Sequence, residues 1–196
     1  VLITTAGIRM PDAFSFGGQS VGRGDYMDLD TIKSVEILRG PASALYGSDG
    51  VAGAVSFITK DPADYLAVGR GYALQYTPGY KSADQEISNN ILGAWAQGPL
   101  QAMISYTRRD GHELDNEGNV GGTGPDRTLP NPQDTRSNAV LGKILFAPND
   151  DHLFRLTAEY GDGFVATDVL SGRTATGLEL YGRDKVERRR LGLDWR

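Results

Sequence analysis

From Leu66 onward, apolar and polar side chains alternate every second position, which is the period of an extended strand. In residues 66–76 one face carries Leu66, Val68, Tyr72, Leu74 and Tyr76, with Arg70 interrupting it. The other carries Ala67, Gly69, Gly71, Ala73 and Gln75. Residues 85–96 keep Ile87, Ile91 and Trp95 in step, and residues 100–109 set Ala102, Ile104 and Tyr106 against Gln101, Ser105 and Thr107. Residues 136–147 place Val140, Ile144 and Phe146 opposite Lys143. The cleanest alternation is 152–161, with Phe154, Leu156, Ala158 and Tyr160 against Arg155, Thr157 and Glu159. Residues 186–196 close the series, with Leu191, Leu193 and Trp195 against Arg188, Arg190 and Asp194. Six strands are predicted.

The first third of the chain is different. Residues 1–5 are a β-branched run that predicts a short strand, followed by Gly7-Ile8-Arg9-Met10-Pro11 and a glycine-rich loop over residues 14–26. Asp30-Thr31-Ile32-Lys33 predicts a helical turn with Asp30 as its N-cap. Residues 35–38 predict a strand that Gly40-Pro41 stops, because proline lacks the ladder N–H and fixes φ. Residues 42–46 have the small-residue composition of a helical turn or two ending at Gly47. Residues 51–59 return as a strand with Ala52, Ala54, Ser56 and Ile58 on one face.

The links between the six strands run medium (78–84), short (97–99), long (110–135), short (148–151) and long (162–184). Alternating short and long links are expected of an antiparallel membrane barrel, with turns on one side and loops on the other. The predicted strands exceed the usual length of about 5–6 residues and suit a tilted crossing of about 9–11. Tyr65, Tyr76, Tyr80, Trp95, Tyr106, Phe146, Tyr160 and Trp195 fall near strand ends, where interfacial girdles belong. A soluble β-sandwich alternates too, so periodicity alone leaves both readings open.

Composition narrows the function classes. The 196 residues include 26 glycines and 9 tyrosines and no cysteine, which excludes a disulfide framework and thiolate metal sites. A formal charge of −5 argues against a nucleic-acid partner, which would call for a basic surface. No apolar run approaches the length of about 20 residues that a membrane-spanning helix needs. Neither a basic nor an apolar leader opens the chain at Val1, and Trp195-Arg196 falls inside a strand, so an internal piece of a larger protein is expected. Glu36, Asp28 and Asp30 have no nucleophile–base–orienter set around them, so no enzyme is expected. Arg23-Gly24-Asp25 is too short a motif to mean more than a loop turn.

Residues 28–60 carry the most specific signal. A turn leads into Glu36-Ile37-Leu38-Arg39-Gly40-Pro41, a small-residue segment closes with Leu45-Tyr46-Gly47, and a glycine-containing strand ends in Phe57-Ile58-Thr59-Lys60. This ordered series resembles the end of the plug domain of TonB-dependent outer-membrane receptors. Ala6-Gly7-Ile8-Arg9 is similar to the strand end before that family's apical plug loop, although Ala6 stands where aspartate is common. The resemblance implies an α+β plug remnant over residues 1–63 and the first antiparallel strands of a transmembrane barrel over residues 64–196. The barrel would be of the 22-stranded class, whose lumen is plugged. Six strands cannot close such a barrel, so the piece is not expected to fold alone.

The resemblance also implies roles. Glu36, Arg39, Gly40, Pro41, Tyr46 and Gly47 would form the plug motif, with the Arg39 fork meeting barrel carboxylates. The loop from Arg9 to Tyr26 looks like the apical loop of the haem and haemoglobin receptor branch, making Phe14, Phe16, Gln19, Arg23 and Tyr26 candidate substrate contacts. Of the two histidines, His112 opens a predicted outer loop and is the candidate haem-iron ligand, whereas His152 reads as a turn residue. The implied partners are haem or a haemoprotein, outer-membrane lipid, and the TonB energy-coupling complex acting through an N-terminal box outside these residues. Haem would be transported cargo, with no tightly bound cofactor. The competing expectations are a ferric-siderophore or cobalamin receptor of the same family, and a passive porin or soluble β-rich binding protein.

Overall fold

The computed structural model describes residues 2–5, 7–10, 15–16, 19–20, 28–40, 53–173, 177 and 179–196, with backbone only at 8, 15, 16, 19 and 20. The chain divides into two compact units, Val1–Asp64 and Tyr65–Arg196.

In the first unit, β1 (Leu2–Thr5) pairs in parallel with β6 (Gly53–Thr59) and antiparallel with β2 (Ile8–Arg9). The long strand β5 (Ile32–Arg39) covers the other side of β6. Leu2 and Ala54 are the buried apolar pair, and the Thr5 hydroxyl donates to Met10 Sδ at 3.1 Å. The expected helical turn is a single 3-10 turn, Leu29–Thr31. Its cap is Asp28 rather than Asp30: Asp28 Oδ1 accepts the Asp30 N–H at 3.2 Å, while Ile32 has already entered β5. The aspartate two residues upstream wins because the turn begins two residues earlier than an Asp30 cap implies. Gly53 has φ +111°, and a Cβ there would lie 2.6 Å from the Leu38 carbonyl oxygen, so only glycine fits this close approach of β6 to β5. The ribbon β3 (Ser15–Phe16) and β4 (Gln19–Ser20) lies in the glycine-rich loop.

The second unit is a six-stranded antiparallel meander. Its strands are β7 (Tyr72–Lys81), β8 (Glu86–Gln97), β9 (Leu100–His112), β10 (Gln133–Asn149), β11 (His152–Asp168) and β12 (Tyr181–Trp195), neighbours in chain order. The first of these corrects the sequence reading. Residues 66–71 are not strand, and Leu66, with Tyr65, instead packs on Leu92, Ala94, Met103 and Leu141. Burying a leucine as fully as Leu92 (2% exposed) contributes about 1.5–3 kcal/mol, which outweighs a formal alternation. Pro78 remains within β7, where it is tolerated because β7 is an edge of this sheet. A short turn with Gln85 at φ +51° follows. The long links shrink to residues 113–132 and 169–180, because β9 to β12 continue past the apolar alternation into polar sequence that carries no periodic signal.

Two ends can be distinguished. The turns between β8 and β9 and between β10 and β11 lie at one end with residues 65–71, and the 82–85 turn and both long links lie at the other. The two faces also differ. Ile91, Trp95, Ile104, Tyr106, Ile144, Phe146, Leu156, Tyr160, Leu191 and Leu193 are all exposed, whereas Leu92, Ala94, Met103, Ser105, Thr107, Leu141, Lys143 and Thr157 are buried.

The exposed apolar band runs obliquely to the hydrogen-bonded rows. On β7 and β8 it reaches Tyr80 and Ile87, whose row continues through Asp110, Arg136 and Phe164 to Lys185. On β9, β10 and β11 it stops at Tyr106, Val140 and Tyr160, with Phe164 a single apolar outlier beyond Asp162. On β12 it stops at Leu191, six positions from Lys185. Strands spaced about 4.8 Å apart and tilted about 40° shift by about 4 Å per neighbour, or about six residues over five steps. The observed offset of six positions is the slope that a plane cutting such tilted strands would produce.

Candidate functional site

The exposed band is closed at each border by side chains with one apolar and one polar end. At the turn end, Phe146, Phe154 and Trp195 stack with centroids 6.3 and 6.1 Å apart, and the Trp195 indole N–H donates to His152 Nδ1 at 3.4 Å. His152 is thus a border residue at a turn. At the loop end, the Tyr76 hydroxyl donates to Asn89 Oδ1 at 2.6 Å and the Tyr106 hydroxyl to Asn138 Oδ1 at 2.9 Å. Beyond them lies a charged row. Arg108 forms a forked pair with Asp110 at 2.6 and 2.7 Å, Arg136 approaches Asp110 at 3.4 Å, and Asn138 donates to Asp162 at 3.1 Å.

The buried face carries the apolar cluster of Leu92, Ala94, Met103 and Leu141 near the turn end together with polar and charged side chains. The Asn90 amide donates to Ser105 Oγ and Thr107 Oγ1, both at 2.8 Å. Across β11 and β12, Glu159 binds Arg190 directly and its second oxygen lies 3.8 Å from Arg188. Large apolar side chains thus stand exposed along one face while Lys143, Glu159 and Arg190 are buried on the other, which a soluble sheet does not do.

Past the charged row the two long links are structured. The Gln133 N–H donates to Glu113 Oε2 at 2.8 Å, and this bond holds the Glu113 carboxyl below the ordinary carboxylate range against the opposing effect of burial. A group with a depressed folded-state pKa contributes stability above its unfolded value, and the contribution disappears as pH falls through the folded value. Hydrogen-exchange protection of the Gln133 amide is therefore expected to be full near neutrality and to fade only as pH falls below the ordinary carboxylate range. Glu113→Gln should abolish that pH dependence; a protection factor flat with pH in the wild type would contradict the assignment.

The candidate residues fall as follows. Phe16 and Gln19 pair across the β3–β4 ribbon, while Phe14, Arg23 and Tyr26 lie outside the described residues. Glu36 stands opposite Ser56 on β5, Arg39 ends that strand exposed, and Gly40 turns out of it at φ +95°. Pro41, Tyr46 and Gly47 lie outside the described residues. His112 ends β9 on the same face as Tyr106 and Ile104, exposed, with Nδ1 3.4 Å from Asp134 Oδ1. It therefore projects from the apolar-banded side of the wall, beyond the border. Sequence reasoning missed Glu113, Gln133, Asn131 and Ser171, whose pairings join distant, non-periodic positions.

A sheet with this oblique apolar band and polar reverse face, preceded by a small mixed unit, is the arrangement of a plugged membrane barrel. Residues 1–54 match the TonB-dependent receptor plug domain family, and the chain belongs to the TonB-dependent receptors, as plug sequence followed by barrel wall. It is 30% identical over 181 residues to hemoglobin-haptoglobin-binding protein A of Haemophilus influenzae, covering 86% of this chain and 17% of that one. With hemoglobin and hemoglobin-haptoglobin-binding protein A of the same organism it shares 33% identity over 136 residues, covering 67% of this chain and 12% of that one. The chain thus spans less than a fifth of the length of these relatives. The FrpB iron transporter from Neisseria meningitidis has the same fold, with TM-score 0.69 and 19% identity over 98% of this chain and 30% of that one.

Proposed function

We propose that this chain is part of an outer-membrane receptor of a Gram-negative cell that captures haem or a haemoprotein and imports the haem using TonB-coupled energy. The observation that carries this reading is the continuous similarity to haemoglobin-binding proteins across both the plug and the wall strands, rather than across the plug alone. The wall supports it by its chemistry. The oblique band fits lipid, the two aromatic borders fit the interfaces, and the polar reverse face fits a filled lumen. The process needs no covalent step: ligand binds outside, the plug rearranges, and the coupling complex supplies the work.

His112 enters this reading as a candidate iron ligand. Its position on the banded side, past the border, limits it to a ligand that comes over the rim. The test uses the full-length receptor. Purified protein is titrated with haem and with haemoglobin, and a strain carrying it is grown with haemoglobin as sole iron source, with and without functional TonB. Saturable binding and TonB-dependent growth are expected, with weaker haem binding by His112→Ala. A receptor that ignores haem and haemoglobin but transports a ferric siderophore would replace this reading with that one. An unchanged haem titration of the variant would remove His112 from the site.

A further inference from the structure

The two long links of the wall are not independent loops. The Asn131 amide donates to Ser171 Oγ at 2.9 Å, and Asn131 Oδ1 accepts the Ser171 backbone N–H at 2.9 Å, so one side chain closes a reciprocal pair across forty residues of sequence. Around it, the Gly124 N–H donates to the Leu170 carbonyl at 2.9 Å and the Asp168 N–H to the Pro132 carbonyl at 2.9 Å. The Gln133 amide donates to Thr167 Oγ1 at 2.8 Å. Each link is also braced internally. Arg127 donates to the carbonyls of Gly122 and Pro130 at 2.8 and 2.6 Å, and Arg173 pairs with Asp168 at 2.9 Å and lies over the Tyr181 ring. The described residues of the two surface connections are thereby cross-linked.

Exposed on this cross-linked surface are Leu114, Val120, Leu129, Leu180 and Tyr181. Exposed apolar side chains are ordinary when scattered singly. Here they stand on backbone that is already fixed, and fixing a residue costs about 1–2 kcal/mol in conformational entropy that would otherwise fall on the binding step. A small ligand such as haem needs a concave pocket that encloses most of its surface. Open apolar and aromatic anchors with polar surroundings, held rigid, instead match a protein–protein interface. We infer that Asn131 is a positioning residue that fastens the two links into a preformed platform for a folded protein ligand, the haemoprotein itself rather than its haem. The inference rests on the haemoprotein reading above and adds to it which part of the receptor separates protein from haem.

The experiment uses the full-length receptor with Asn131→Ala, Asn131→Asp and Val120→Glu variants, haemoglobin and free haem as probes, and hydrogen exchange at Gly124 and Ser171. Asn131→Ala is expected to lose protection at both amides and to bind haemoglobin about tenfold more weakly, with haem affinity unchanged. Asn131→Asp keeps the acceptor for the Ser171 N–H and should retain most of the wild-type behaviour. Val120→Glu should weaken haemoglobin about tenfold with protection intact. Unchanged exchange in Asn131→Ala, unchanged haemoglobin affinity in both Asn131→Ala and Val120→Glu, or a parallel fall for haem and haemoglobin would each overturn the platform. A wild-type receptor that binds haem but not haemoglobin overturns the platform alone; one that binds neither overturns the functional reading with it.

Discussion

Replacing Glu159 by alanine in the full-length receptor is expected to lower its unfolding free energy by about 3–5 kcal/mol, read as a fall in the denaturant midpoint in vesicles or detergent. Glu159 and Arg190 have side chains only 8% and 11% exposed, and they sit directly opposite each other on β11 and β12. Arg188, two positions earlier on β12, faces the same carboxylate at 3.8 Å. Removing the carboxylate takes one counter-charge from two guanidiniums on the same strand face, and loss of a counter-charge in a desolvated setting is costly. The double replacement Glu159→Met with Arg190→Met should recover part of the loss, because the directly bonded pair is exchanged for apolar side chains of similar volume while Arg188 still lacks the carboxylate. A Glu159→Ala loss under about 1 kcal/mol, the range of a solvated surface pair, would show that water reaches this part of the wall and that its reverse face is not packed.

The Glu159–Arg190 pair also shows how far the sequence could be read. The alternation through Phe154, Leu156, Ala158 and Tyr160 assigned Arg155, Thr157 and Glu159 to the opposite face, and Leu191, Leu193 and Trp195 did the same for Arg188 and Arg190. Both assignments hold: Leu156 is 38% and Tyr160 37% exposed, and Glu159 faces the arginines on the other side. A period of two fixes which face a residue occupies, and the links fix the antiparallel order. Pairwise register then follows from where the strands overlap. The plug motif was legible because its glycines answer to backbone rules that few other residues satisfy, as Gly40 at φ +95° and Gly53 at φ +111° show.

Three things were not legible. The start of β7 was placed six residues early, because Leu66 and Val68 keep the apolar phase while residues 66–71 run off the strand; phase cannot distinguish a strand from an extended connector. β9 to β12 run further toward the long links than the alternation implies, because past the band its phase is lost, with Phe164 and Val165 on opposite faces of β11, while the ladder continues from Ser137 to Gln133 against β11. The pairing of Asn131 with Ser171 has no local signature at all, since it depends on two links meeting in space.

Arginine in place of Leu156 is expected to cost about 2–4 kcal/mol in the full-length receptor folded into lipid, while arginine in place of Asp134, beyond the border, should cost about 0–1 kcal/mol. Leu156 lies in the row of Trp95, Ala102, Ile144 and Leu193, apolar on each of these strands, so no neighbouring row offers the guanidinium water without a long reach. Depth dependence of this kind is also what a closed protein core could mimic, so the sharper comparison is Ile91. Its row runs through Tyr106, Val140 and Tyr160 to Arg189, a native arginine that sits over the Tyr160 ring and pairs with Glu187. If burial followed the hydrogen-bonded rows, arginine at Ile91 would be tolerated as it is at position 189. If the boundary is a horizontal lipid plane cutting tilted strands, that plane lies above Ile91 on β8 and below Arg189 on β12. Ile91→Arg should then cost nearly as much as Leu156→Arg. Measured tolerance at Ile91 alongside intolerance at Leu156 would mean that the oblique border is an accident of composition, and the sheet would have to be read as a wall facing protein instead of lipid.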